Sequence, residues 1–417
     1  MDLKEDIQNY NLPQELIDTV ISYLRDDHPS LRICSHTARI LRIRCQQYLF
    51  EKVIIQDIEA SQRLCEVLMT SSHLSAYIIH MEINGSSGRH HSHWIYEDSG
   101  LSLVLDSIRH LQVLDLNGNP SERGQWSIGW LKLPTKLQFA IKSTLELNPI
   151  SELAIRGFSD VPRSILHQLS VLKKLVLDMT HFGIEIESES LQKTLDISRS
   201  KTLLENFGYI SPMTDNCILE WLCTTDSPID ISQLHTLSMG MKELHDYNDV
   251  ALLLRLNFQT LQHFTFGLAS VMPQSVETEP VDLGILSSLR TLSLHAVLFE
   301  SPGGLFHNPP MQWITDCLKR IAEPNLVETV TFVVQISLFG PISAPFQCAA
   351  IFKEIASALM IMPHLRMATF RIKNLGNRMR FQQFSSTIEE ELSWLRLKGM
   401  LHIEEKIFFK QDFLSSK

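Results

Sequence analysis

The pattern that most constrains this chain is a recurring L-x-x-L-x-L, whose last two apolar residues lie two apart, as on one face of a strand. Strong copies start at Leu111 (LQVLDL), Leu172 (LKKLVL), Leu234 (LHTLSM), Leu261 (LQHFTF), Leu289 (LRTLSL) and Leu365 (LRMATF). Weaker copies start at Phe50, Ile78, Ile150, Leu204 and Val327. In a chain that is 44% hydrophobic, three apolar positions coincide by chance in roughly 35 windows, so counting alone decides nothing. Two further regularities do. Each strong copy opens with Leu and continues with a long polar residue (Gln112, Lys173, His235, Gln262, Arg290, Arg366), and successive starts of all copies, weak ones included, lie 22 to 39 residues apart. A unit of that length cannot bury an apolar face by itself, but stacked copies share one continuous core.

The expected fold is therefore α/β: an irregular solenoid of leucine-rich-repeat type over residues 51–417, with a parallel sheet on its concave side and helices on its convex side. The spacing predicts helices over Ile58–Met69, Leu101–Arg109, Asp215–Cys223, Pro310–Ile321 and Ala349–Met362. The array needs capped ends. The N-terminal helices and a strand at Phe50–Ile55 are expected to close one end, with the helices packed directly on the first repeat. LSWLRLKGMLHIEEKIFF is expected to close the other, with Trp394 and Phe408 or Phe409 as plugs. Residues alternating with the motif leucines point to the opposite face of the sheet. Asp115, Asn117, Asp178, Ser238, His263, Thr265, Ser293, His295, Thr369 and Arg371 are the candidate surface for a protein substrate. The loops FESPGGLFHNPP (299–310) and FGPI (339–342) are further candidates, as insertions mixing aromatics, Pro and Gly.

Composition narrows the function. The net charge of -10 with pI ≈ 5.9 argues against nucleic acid or an anionic membrane as the main partner, because such surfaces cluster Lys and Arg. The first residues, MDLKEDIQNYNLPQEL, lack the basic and apolar regions of a secretory signal, and no apolar run reaches the ~18 residues of a membrane span. Seven cysteines without a CxxC pair read as reduced thiols, which places the chain in the cytoplasm, the nucleus or both. No GxSxG, Walker loop, GxGxxG or HExxH occurs, so neither an enzyme nor a cofactor is expected. The histidines of GSSGRHHSHW (85–94), near His80, invite a metal-dependent hydrolase as a third hypothesis. They lack helical ligand spacing and read as a polar loop, with no metal.

The N-terminus carries a different signal. Asn11-Leu12-Pro13 starts a helix, since proline fits a first turn whose N–H groups have no partner. Leu16, Ile17, Val20, Ile21 and Leu24 form one stripe, and Asp26-Asp27-His28-Pro29 ends it. Leu31, Cys34, Ala38, Leu41 and Cys45 step by three and four, predicting a second amphipathic helix reaching about Leu49. Forty residues cannot bury both stripes among themselves, so the surplus must meet the rest of the chain or a partner.

The segment LPQELIDTVISYLRDDHPSLRICSHTAR…YLF resembles the F-box of fungal, especially mushroom-type, F-box proteins, which open LPxELI, continue with a DD turn and SL, and close on LF. The resemblance covers residues 9–50, and Leu41 stands about where relatives carry a tryptophan. It implies that Leu12, Pro13, Leu16, Ile17, Ile21, Leu24, Leu31 and Cys34 lie in or near a surface that docks on a Skp-type adaptor and, through it, a cullin ubiquitin ligase. The chain would then be the substrate-recognition subunit. The alternative is a repeat scaffold with no ligase role, whose N-terminal helices only cap the array and expose no apolar stripe.

Overall fold

The computed structural model describes residues 13–85, 94–118, 128–183, 201–210, 218–241, 246–268, 281–299, 309–321, 325–337, 349–373 and 378–406. The chain divides into two compact units, residues 1–117 with 132–151, and residues 118–131 with 152–417. In the first, helices α1 (Gln14–Ser22), α2 (His28–Thr37) and α3 (Arg39–Glu51) precede β1 (Lys52–Ile55). Then come α4 (Ile58–Thr70), β2 (His80–Asn84), α5 (Gly100–Ser107), β3 (Val113–Asn117) and α6 (Thr135–Leu147). Strands β1, β2 and β3 pair in parallel, placing Met81 beside Leu114 and Ile83 beside Leu116, all buried. Helix α4 packs on α5 and α5 on α6. Asp98 locks the first of these contacts: it accepts the Gly100 and Leu101 N–H groups at the start of α5 and the Ser61 hydroxyl of α4 (2.6 Å).

The second unit is a long parallel sheet. Strands β5 (Glu152–Arg156), β7 (Lys174–Asp178), β9 (Asn206–Ile210), β11 (Thr236–Met241), β12 (His263–Leu268), β13 (Thr291–Phe299), β14 (Thr329–Ser337), β15 (Met367–Lys373) and β16 (Leu401–Lys406) pair in that order. Shorter strands pair beside it, β4 (Ile128–Gly129) with β6 (Phe158–Ser159) and β8 (Thr202–Leu203) with β10 (Ile229–Asp230). Helices α7 (Ile218–Leu222), α8 (Asp246–Leu256), α9 (Pro309–Lys319), α10 (Ala349–Met360), α11 (Arg378–Glu391) and α12 (Ser393–Leu397) alternate with the later strands. One sheet face is aromatic and buried. Phe264, Phe266, Phe332 and Phe370 line it, with Phe332 stacked on Phe370 (4.6 Å) and Phe266 on Trp313 of α9 (5.1 Å).

Every strong and weak motif is followed two residues on by a strand. The reason is a hydrogen-bond ladder at the strand-start rim. The carbonyls of Lys173, Glu205, His235, Gln262, Arg290 and Glu328 each accept two consecutive N–H groups opening the next strand, at 2.8–3.2 Å. With the backbone so engaged, the second motif position sends its side chain to the rim, which suits a long polar residue. Ion pairs Lys173–Glu205 (3.1 Å), Arg290–Glu328 (3.1 Å) and Arg366–Glu328 (3.3 Å) run along it. Buried asparagines complete the turns: Asn257 accepts the Leu234 N–H (2.7 Å) and Asn148 the Leu111 N–H (2.9 Å).

Several expectations change. The helix expected from Pro29 to Leu49 is two, broken at Ala38, whose backbone is extended (φ -142, ψ 137). The break follows Ser35-His36-Thr37, residues weak in helices, and Thr37 turns its hydroxyl back on the Ile33 carbonyl. The strand expected at Phe50 begins at Lys52, because α3 runs on to Glu51. Asp215–Cys223 shortens to Ile218–Leu222, with 215–217 outside the described residues. Helices α6, α8 and α11 and strand β16 were not expected. At the C-terminal end the fully buried residues are Phe384, Ile388, Leu392 and Leu395, whereas Trp394 is half-buried under Lys398; Phe408 and Phe409 lie outside the described residues. No described helix is long and apolar enough to cross a membrane.

Candidate functional site

Helix α1 starts where Pro13 offers its carbonyl to the N–H groups of Leu16 (3.0 Å) and Ile17 (3.2 Å). Asp27 then caps α2, accepting the Ser30 N–H (3.2 Å) and hydroxyl (2.6 Å), bonds that hold its carboxyl below its ordinary value. These starts set which faces meet. Ile21, Leu31 and Cys45 are buried in the centre of the three helices, with Ile17, Leu24, Cys34, Leu41, Tyr48 and Leu49 packed around them. Leu41 is thus part of this core. Burial in this core pushes the Cys45 thiol up. Arg25 pairs with Glu51, which raises the arginine's pKa, and the guanidinium groups of Arg25 and Arg44 both lie over the Tyr48 ring (5.7 and 4.7 Å).

A neighbouring face of α1, about 100° round the helix, is exposed. Leu16, Val20 and Tyr23 step by four and three along it and are 53, 61 and 85% exposed. Of the residues expected in or near the docking surface, Pro13 and Leu16 are exposed and Ile17, Leu24 and Cys34 are half-buried. Ile21 and Leu31 are interior, where they hold the three helices together, and Leu12 lies outside the described residues. Val20, expected on one broad stripe with Ile17 and Ile21, lies to one side of them on the exposed face with Tyr23.

In the first unit the open sheet face carries Lys52–Glu82 (3.7 Å) and, one strand on, Asp115, which is half-buried; Asn117 is nearly buried. In the second, register aligns a row of hydroxyls across neighbouring strands: Ser238, Thr265, Ser293, Thr331 and Thr369. The next outward row reads Asp178, Ile210, Gly240, Gly267, His295, Val333, Arg371 and Glu404. The candidate residues of these strands alternate with the buried motif residues, yet Ser238, Thr265 and Thr369 keep less than a tenth of their surface. Crowding between strands leaves little of each hydroxyl to solvent. Asp178, Ser293, His295 and Arg371 are half-exposed, Ser293 and His295 lie 3.3 Å apart, and Arg371 pairs with Glu404. His263 is exposed at the strand-start rim, and partial enclosure, with Arg290 and His235 nearby, holds it below its ordinary value. Thr331 was missed because Val327 opens a weak motif.

Among the described residues no cluster of three or more His, Cys, Asp or Glu is arranged to hold a metal ion. His90, His91 and His93 lie outside them, as do residues 300–308 and 339–342 of the two candidate loops. The described surface carries an exposed apolar helix face in one unit and a broad polar sheet face in the other. No family model, no curated protein and no solved structure matches the chain.

Proposed function

We propose that the chain is the substrate-recognition subunit of a cullin-type ubiquitin ligase, with α1–α3 as an F-box that binds a Skp-type adaptor and a leucine-rich-repeat array that binds a protein substrate. The observation that carries this reading is the exposed stripe of Leu16, Val20 and Tyr23, set on a helix whose other face is already filled. A helix that served only as a cap has no use for a second apolar face in water. Covering such side chains is worth about 1–2 kcal/mol each, enough for a specific contact when combined with the flanking surface. The chain needs no cofactor: tethering a bound substrate near ubiquitin-transferring subunits raises its effective concentration there.

The rival scaffold reading draws on the join between α3 and the repeats, where the Glu51 carbonyl accepts the Ile79 N–H (3.1 Å) at the head of the array. That join explains α3 and leaves the outward face of α1 unexplained. Capture of the full chain by immobilised Skp-type adaptor separates the two. Wild type should be retained, Leu16→Asp should be lost and Pro13→Ala weakened; no retention of wild type, or equal retention of all three, refutes the ligase role.

A further inference from the structure

In the second unit, the sheet face opposite the aromatic core is set apart by its lack of charge. Register places Asn206, Thr236, His263, Thr291 and Thr329 in one row across β9, β11, β12, β13 and β14, next to the strand-start rim. Gly208 heads the hydroxyl row on the same strands and Ile210 the row beyond it, which makes three positions on each of five strands. None of the fifteen is Asp, Glu, Lys or Arg, where a chain that is 20% charged would carry about three. The first row is half-exposed and His263 within it exposed, as Ser293 and His295 are half-exposed further in, so this is surface and not core. Partial enclosure, then Arg290 and His235, hold His263 below its ordinary value, and at pH 7 it too is uncharged. Charge returns on the flanking strands, where Lys174 meets Glu152 (3.2 Å) and Arg371 meets Glu404.

We infer that the partner segment seated across β9–β14 is an uncharged stretch of polypeptide, recognised by hydrogen bonds between its amides and hydroxyls and those of the sheet face. This rests on the reading of the repeats as the substrate-binding part and names the chemistry of what they bind. A charge laid on this face gives up water and meets no opposite charge among the fifteen positions, whichever its sign. An uncharged polar segment loses far less, because threonine and serine hydroxyls, the Asn206 amide and imidazoles both donate and accept. A nucleic acid or an anionic bilayer needs clustered Lys and Arg, which these strands do not present.

The test is selection from a random peptide display library on the full-length chain, followed by anisotropy titration of the enriched peptides. Enriched sequences should be depleted in Asp, Glu, Lys and Arg, and should bind equally at low and high NaCl. Thr291→Asp and Thr291→Lys should each weaken binding by about tenfold, since either sign is left unpaired beneath an uncharged ligand, while Thr291→Asn stays within about twofold. Thr291 is half-exposed, so the three variants should keep the wild-type urea midpoint, which separates lost contact from lost fold. Tighter binding by Thr291→Lys marks an acidic ligand and tighter binding by Thr291→Asp a basic one; either overturns the inference. No enrichment, or enriched peptides indifferent to all three variants, overturns this face as a docking surface and leaves the ligase role standing on adaptor capture. Failed adaptor capture with peptide binding as expected refutes the ligase role alone.

Discussion

Replacing Asn257 by alanine tests whether buried asparagines, as well as leucines, hold the repeats in register. Asn257 is 1% exposed; its Oδ1 accepts the Leu234 N–H at 2.7 Å, and its Nδ2 donates to the Leu253 carbonyl at 2.9 Å. The two bonds are not equal in consequence. The Leu253 carbonyl also accepts the Asn257 backbone N–H (3.2 Å) and stays satisfied in the variant. The Leu234 N–H is left without an acceptor beside a leucine that is itself fully buried. An orphaned buried donor costs about 1–3 kcal/mol, and the small void adds a little, so a loss of about 2 kcal/mol is expected. Urea denaturation should show a lower midpoint with unchanged slope, and hydrogen exchange should show lost protection at Leu234. Gln259→Ala, an exposed site two residues on, should shift stability by less than about 0.5 kcal/mol. If Asn257→Ala is equally silent and Leu234 stays protected, the structural role assigned to the asparagine is wrong.

Two other perturbations probe the core and its chemistry. Phe370→Ala removes a ring that stacks on Phe332 and meets the edge of Phe352, and should cost about 3–5 kcal/mol by denaturation, against less than about 1.5 kcal/mol for Phe370→Leu. Burial pushes the Cys317 thiol up, so it should resist a thiol reagent at pH 8 in the native protein and react at once in urea.

The repeat was legible because its signal is local and periodic. Leu111, Leu172 and Leu289 mark strands through residues adjacent in sequence, and the rim carbonyls that align them need only correct spacing. Strand β16 escaped because its turn uses Gly399, with φ +67, in place of a motif leucine. Helix α6 opens on Pro134, whose carbonyl accepts the Leu137 and Gln138 N–H groups as that of Pro13 does in α1, so its start was legible in the sequence; the existence of α8 follows from the need to return the chain to the strand-start rim. The exposed face of α1 was half legible. LPQELI located α1, but whether Ile21 or Val20 faces water depends on where Leu31 and Cys45 sit, and that follows from a helix break at Ala38 that stepping by three and four concealed. Sheet register brought Ser238, Thr265, Ser293, Thr331 and Thr369 into one row, and no single repeat contains that information.

The ligase reading requires the outward face of α1 to be a binding surface. Calorimetric titration of the full chain with purified Skp-type adaptor at several temperatures tests it most directly. The expected result is a one-to-one complex with a negative heat-capacity change, as apolar area leaves water, which Val20→Asp abolishes while leaving the unfolding free energy in urea within about 0.5 kcal/mol of wild type, since Val20 is already exposed. Absence of binding by wild type, or unchanged affinity and heat capacity in Val20→Asp, contradicts it.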